Sequence, residues 1–119
     1  MMARHNARGK KGELLAAAYL RELGFNILHM NWRHSHYEID IIAVHEERLH
    51  IVEVKTRHST TFGYPEEGVS KKKFRNIMNG VEEFLFQHPE WKNIQYDILA
   101  ITCLKNKPVE FFLIEDVYL

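Results

Sequence analysis

Four ionisable residues stand in two pairs within apolar runs of the chain. Glu38 and Asp40 are separated by one isoleucine, and Glu53 and Lys55 are separated by one valine. Runs this rich in Ile and Val, bounded by polar clusters, predict β-strands, in which side chains at alternate positions share a face. Each pair is therefore expected to project from one face of its strand, which offers three carboxylates and one ammonium group for chemistry.

The polar segment 45–48 between the two runs predicts a hairpin that sets their register. If Val44 pairs with Leu49, Asp40 stands opposite Glu53, and the other two ionisable residues are also opposed. Like charges opposed in a sheet are destabilising, and a divalent cation such as Mg²⁺, which prefers oxygen ligands, removes that conflict. An ordinary ion pair on a solvated face is the alternative. Apolar residues further along the same face favour a covered face with a site at its edge.

Composition indicates an ordinary soluble protein. The 119 residues are 45% hydrophobic and 27% charged, with 16 basic and 16 acidic residues, and they predict a single domain over residues 1–119. Cys103 is the lone cysteine, which excludes an internal disulfide and a cysteine-based zinc site. His34 and His36 could bind a transition metal, but with no further ligand nearby a polar loop is the preferred interpretation. Without an apolar signal or a membrane-length run, the predicted location is cytoplasmic.

The N-terminal part of the chain predicts a helix from about Arg8 to Leu23, with Gly24 just beyond its end. Glu13 lies along the apolar stripe of this helix. It is either a first-turn acid that complements the helix dipole or a functional residue. The basic segment 1–11 that leads into the helix is either a flexible arm or a phosphate-contacting segment.

A second helix is predicted after Ser70, a typical N-cap residue. Cations oppose the dipole at a helix N-terminus and become favourable there when an anion such as a phosphate docks. The three lysines in the first turn of this helix are either solvated or form a phosphate-binding group. The preceding loop, 56–68, contains Arg57 and would border a site at Lys55. The three consecutive lysines in the first turn of the second helix are Lys71, Lys72 and Lys73.

The remaining apolar runs predict strands at 25–32, 94–104 and 109–117. Asp97 lies in the fourth strand, either as a strand-end acid or as support for the acidic cluster. The order is then helix, three strands, helix, two strands. This order predicts an α/β (α+β) domain with a mixed sheet of about five strands flanked by helices.

These motifs together resemble the YraN-like uncharacterised family. That family belongs to the restriction-endonuclease-like PD-(D/E)xK nuclease group and is similar to archaeal Holliday-junction resolvases. The resemblance covers nearly the whole chain and implies a restriction-endonuclease-like core. The residues that carry it are Gly12-Glu13, Glu38-Ile39-Asp40, the run Val-Glu-Val-Lys-Thr-Arg at 52–57, Gly63, Lys73 and Tyr96-Asp97.

The resemblance also implies roles for individual residues. Asp40 and Glu53 match the metal ligands of the group, and the backbone carbonyl of Val54 is the third ligand. Lys55 matches the catalytic lysine, and Glu13 matches the helix acid that completes the site in resolvase-like members. In addition, Glu38 matches the family pattern as a supporting residue, Ile39 stands in the place of the motif proline, and Tyr37 replaces a small residue.

The predicted function is a Mg²⁺-dependent (or Mn²⁺-dependent) endonuclease that hydrolyses DNA and recognises branched substrates by shape. Arg57 and the three lysines of the second helix would contact the nucleic-acid backbone. One alternative is a nucleic-acid-binding module that needs these lysines but not Asp40. Another is a protein-interaction domain that uses the apolar segment 111–114 as an edge. Resolvase-like relatives are dimers, so the resemblance also implies a homodimer.

Overall fold

The computed structural model describes residues 3–58 and 69–118, with side chains described from Lys10 onward. The first helix begins at Ala3, so most of the basic segment 1–11 is helical, which differs from the flexible arm that was one of its two interpretations. Gly63 and Tyr64 of the predicted loop lie outside the described residues. The described elements are α1 (Ala3–Glu22), β1 (Asn26–His34), β2 (Tyr37–His45), β3 (Arg48–Arg57), α2 (Lys71–Gln87), β4 (Ile94–Thr102) and β5 (Glu110–Ile114).

The five strands form one mixed sheet in the order β1-β2-β3-β4-β5. The pairs β1/β2, β2/β3 and β4/β5 are antiparallel, and β3/β4 is parallel. A parallel pair requires a crossover connection, and α2 lies in the segment that joins β3 to β4. The predicted mixed α/β architecture with about five strands is therefore confirmed.

Each helix packs its apolar stripe against a different face of the sheet. Leu20 of α1 lies in a buried cluster with Ile41 and Val52, whereas Phe84 of α2 lies in a second cluster with Ile51. The predicted stripes of both helices are thus the surfaces that they bury. No helix within the described residues is long and apolar enough to cross a membrane.

The helix ends follow their local signals. The amide of Phe25 donates to the carbonyl of Leu20 over 3.0 Å, and Gly24 takes a φ of +96° that suits glycine. At the start of α2, the Ser70 hydroxyl accepts a hydrogen bond of 3.1 Å from the amide of Lys73. The predicted cap residues are both confirmed, which fixes where each helix enters and leaves the sheet.

The β2/β3 hairpin has the predicted register, because Val44 pairs with Leu49. Its two turn residues, Glu46 and Glu47, have φ values of +51° and +65°. Positive φ at both positions is what a type I′ turn demands, and it is normally supplied by Asn-Gly. The hairpin therefore forms with the turn geometry of a tight connection but without the residues that favour it.

The last strand, β5, is an edge strand with one apolar residue facing solvent. Phe112 is 62% exposed, whereas its neighbour Phe111 stacks on Tyr19 of α1 with ring centroids 4.4 Å apart. Leu113 and Ile114 also pack against the two core clusters, so three of the four residues of this predicted interaction segment are used within the chain. The homodimer implied by the resemblance stays a prediction.

Candidate active site

A cavity of about 260 Å³ opens where β2 and β3 approach the start of α2. Acidic side chains from both strands and a lysine from the helix share its wall. Its lining residues are His36, Glu38, Asp40, Glu53, Lys73, Asn76 and Ile77.

The strand changes face beside Asp40, which lines this cavity. Ile39 packs in the α2 cluster, whereas Ile41 packs in the α1 cluster, although strict alternation would place both on one face. Their partners on β1 flank Asn31, which has a φ of +55°. The alternation of faces is therefore broken between these two residues, while the register shift of the β1/β2 ladder lies nearby, between Ile27 and His29.

The Asp40 side chain takes part in the link between β2 and β3. The paired register of these strands runs as far as Ile41 and Val52, one position short of the two acids. Next to that point, the amide of Val54 donates a 2.9 Å hydrogen bond to Asp40 Oδ2. The carboxylate is thus held beside β3.

The carboxyl groups of Asp40 and Glu53 interact directly. Burial, followed by the negative charge of Glu53, raises the pKa of Asp40 to about 8, although the hydrogen bond from Val54 acts in the opposite direction. Glu53 is only 8% exposed. Ionising both of these neighbouring acids costs free energy unless a cation accompanies them.

Two lysines supply positive charge to Glu53. Lys73 Nζ lies 3.0 Å from Glu53 Oε1, and Lys55 Nζ lies 4.0 Å from the same oxygen. Burial and the neighbouring Lys73 lower the pKa of Lys55. Burial acts to lower the pKa of Lys73 as well, but Lys55 and Glu53 outweigh it and raise that pKa.

Glu13 approaches the acids from α1. A Cβ atom on Gly12 would collide with the hydroxyl of Thr56, so glycine allows α1 to pass close to the end of β3. Burial raises the pKa of the next residue, Glu13, and the charge of Glu53 adds to this, whereas a hydrogen bond from Asn31 lowers it. The structure thus brings the helix acid within electrostatic reach of the strand acids.

Other residues predicted for the site lie at its border. Glu38 lines the cavity and makes a 3.5 Å contact with Arg33. Arg57 donates from Nε to Thr102 on β4 over 3.2 Å, which ties it to the sheet. Lys71 and Lys72 are exposed in the first turn of α2.

Asp97 serves a different part of the molecule, which corrects its suggested support of the acidic cluster. It is fully buried and lies 2.7 Å from the Nδ1 atom of His50. Its other oxygen accepts hydrogen bonds from Gln95 and from the amide of Asp116, each of 2.9 Å. Asp97 therefore joins the beginnings of β3 and β4 to the segment after β5.

Lys73 was predicted to contact the nucleic-acid backbone in the same way as its two neighbours, although its position on the helix differs from theirs. Lys73 precedes Ile77 by four residues and Val81 by eight, and both of these are buried under α2. Residues at these spacings share a helix face. That stripe was the signal that Lys73 points towards the sheet.

The donor set at the cavity is small and consists of oxygen ligands. Among residues 3–58 and 69–118, no three Asp, Glu, His or Cys side chains are arranged to hold a metal ion. The available donors are the carboxylates of Asp40 and Glu53, beside the backbone of Val54. Mg²⁺ commonly takes one or two carboxylates and fills its other positions with water and substrate. This donor set fits that ion. His34 lies at the end of β1, outside this donor set, and contacts Glu83 at 3.6 Å.

Comparison with known proteins identifies close relatives. A family model described as Uncharacterised protein family UPF0102 matches residues 12–101. A UPF0102 protein of Bacteroides thetaiotaomicron is 42% identical over 100 residues, which cover 84% of this chain and 83% of the relative. A UPF0102 protein of Flavobacterium johnsoniae is 39% identical over 118 residues and covers 96% and 93%. The family resemblance read from the motifs is confirmed, and the nuclease relationship stays a prediction.

Proposed function

The chain belongs to the uncharacterised protein family UPF0102, and we propose that it is a metal-dependent endonuclease that hydrolyses DNA phosphodiester bonds. One observation carries the proposal. Asp40 and Glu53 line one cavity, two lysines lie within 4.0 Å of Glu53 Oε1, and the pKa of Asp40 is raised to about 8. Acids and lysines in this arrangement suit the binding of a cation together with a phosphate.

Asp40 and Glu53 would hold the divalent cation, with the carbonyl of Val54 beside them. The bound cation would supply positive charge that polarises the phosphodiester and offsets the charge that develops on it. Glu13 would orient the ligands from the α1 side, as outer residues commonly do at metal sites. Its raised pKa is consistent with a carboxyl group that is close to other acids.

Lys55 would act on the reacting phosphate. Its ammonium group would donate hydrogen bonds to the phosphoryl oxygens and stabilise charge that grows in the transition state. Because burial and Lys73 lower its pKa, Lys55 could also release a proton to the departing oxygen more readily than an ordinary lysine. A change at Lys55 is therefore expected to reduce the rate of cleavage more than the affinity for DNA.

The surrounding cations would position the DNA backbone. Lys71 and Lys72 are exposed at the N-terminus of α2, which is a favourable place for phosphate groups. Arg57 lies at the end of β3, two residues beyond Lys55. Backbone contacts carry no sequence information. They suit a substrate that is distinguished by shape, such as a flapped duplex or a four-way junction.

The test is cleavage of labelled linear, flapped and four-way DNA with Mg²⁺ or Mn²⁺. Wild type is compared with Asp40→Ala and Lys55→Ala, and Lys105→Ala, in the exposed turn after β4, serves as the matched control. Cleavage is expected from wild type and from the control alone. Equal activity in all four proteins would eliminate the mechanism. Salt-dependent binding with no cleavage by any of them would favour a non-catalytic nucleic-acid-binding module.

A further inference from the structure

The three consecutive lysines of α2 have different environments. All three are exposed, but of the three only Lys73 lines the acidic cavity. Its Nζ atom lies 3.0 Å from Glu53 Oε1, which is closer than the 4.0 Å distance from Lys55 to the same oxygen. Of the two lysines that contact Glu53, Lys73 is therefore the closer to this acid, which is one of the two proposed to hold the metal ion.

This contact has a consequence for any cation that enters the cavity. An ammonium group and a divalent cation repel each other, and they cannot both lie against one carboxylate oxygen without a large electrostatic cost. The Lys73 backbone is anchored by its hydrogen bond to Ser70. Its side chain is 45% exposed and has several rotatable bonds, so it has room to swing towards solvent while α2 stays in place.

We propose that Lys73 is an internal counter-ion that neutralises Glu53 in the metal-free protein and moves to a substrate phosphate when a divalent cation replaces it. The part concerning phosphate rests on the proposed function, whereas the exchange with the cation does not. Lys73 is then a positioning residue that couples metal loading to DNA binding. It differs in this respect from Lys72, its neighbour, which does not line the cavity.

The first test measures Mn²⁺ binding by calorimetry in the absence of nucleic acid. Lys73→Gln removes the competing charge and is expected to bind Mn²⁺ at least about fivefold more tightly than wild type. Lys73→Arg keeps the charge and is expected to resemble wild type. Lys72→Gln, the matched control one residue away, is expected to leave the affinity unchanged. Circular dichroism of each variant checks that α2 remains folded.

The second test measures the salt dependence of DNA affinity with and without Ca²⁺. In this assay Ca²⁺ is used as the divalent ion in place of Mg²⁺. With Ca²⁺, Lys73→Gln is expected to lower the slope of log affinity against log salt by about 0.9, the value for one duplex phosphate contact. Without a divalent ion its slope is expected to match wild type, because Lys73 is then held by Glu53. Lys72→Gln should change the slope equally in both conditions.

The outcomes separate this inference from the nuclease proposal. Tighter Mn²⁺ binding by Lys73→Gln supports the exchange even if no DNA is cut. Equal Mn²⁺ affinity in wild type and Lys73→Gln would overturn it while leaving the metal site and the nuclease proposal intact. If Lys73→Gln changed the salt slope equally with and without Ca²⁺, the transfer of Lys73 to phosphate would be overturned. Absence of Mn²⁺ binding in every protein would overturn the exchange and the proposed function together.

Discussion

Replacing Asp40 by asparagine is expected to stabilise the metal-free protein above pH 8. Asp40 accepts a hydrogen bond from the amide of Val54, and the asparagine carbonyl can accept the same bond. What the variant loses is a carboxyl group whose pKa is raised to about 8 by burial and by Glu53. The substitution therefore removes a charge that the folded site disfavours.

The pH dependence follows from the direction of that change. Below pH 3.8 the carboxyl group is protonated in both the folded and unfolded chains, so it has no effect. Between pH 3.8 and about 8 the folded protein retains a proton that the unfolded chain has lost, so stability falls as the pH rises. The full penalty is present above about pH 8. The difference between the pKa of Asp40 in the folded and unfolded chains corresponds to a loss of at most about 5–6 kcal/mol in the free energy of unfolding. We expect a loss of about 2–3 kcal/mol, because Asp40 is only half-buried.

Urea unfolding at pH 5 and pH 9, in the presence of a chelator, measures this effect. Asp40→Asn is expected to gain more stability at pH 9 than at pH 5, whereas Glu82→Gln, at an exposed site on α2, should show no such trend. Adding Mg²⁺ at ten times its Kd should stabilise wild type by about 1.4 kcal/mol and the variant by less. Loss of stability in Asp40→Asn at pH 9, or equal stabilisation of both proteins by Mg²⁺, would refute the reasoning.

Three further predictions concern stability and are checked by urea unfolding of each variant. Gly80→Ala should destabilise the protein by about 1 kcal/mol, although alanine has the better helix propensity. The reason is that the new Cβ would lie 3.0 Å from the Cβ of Tyr37. A gain in stability would contradict this close contact. Asp97→Ala should lower the free energy of unfolding by about 3 kcal/mol, since it leaves His50 in the core without its partner. A loss below about 1 kcal/mol would contradict the role of Asp97 as that partner. Glu47→Gly should gain about 1 kcal/mol by relieving a φ of +65°; no gain would mean that the turn is unstrained.

The elements of the fold follow from local signals in the sequence. Apolar periodicity predicts both helices and the strands, and Ser70 and Gly24 mark helix ends where the structure has them. The pairing of Val44 with Leu49 follows from the short polar break between two apolar runs. Each of these features depends on residues that are near one another in the chain, so the sequence alone can predict it.

The parts of the site that could not be predicted depend on contacts between distant segments. The change of face beside Asp40 accompanies a positive φ at Asn31 on the neighbouring strand. The pairing of Asp97 with His50 links residues 47 positions apart, across a parallel strand pair. The approach of Lys73 to Glu53 requires α2 to cross the sheet at one position. Periodicity identifies which faces are buried, but it does not specify how the faces meet.

The measurement that tests the central claim most directly is anomalous diffraction from crystals of the wild-type protein soaked in Mn²⁺. The account predicts a Mn²⁺ peak between the carboxylates of Asp40 and Glu53, and its loss in crystals of Asp40→Asn. A peak bound elsewhere, or no peak at this cavity under conditions that saturate other Mn²⁺ sites, would contradict it.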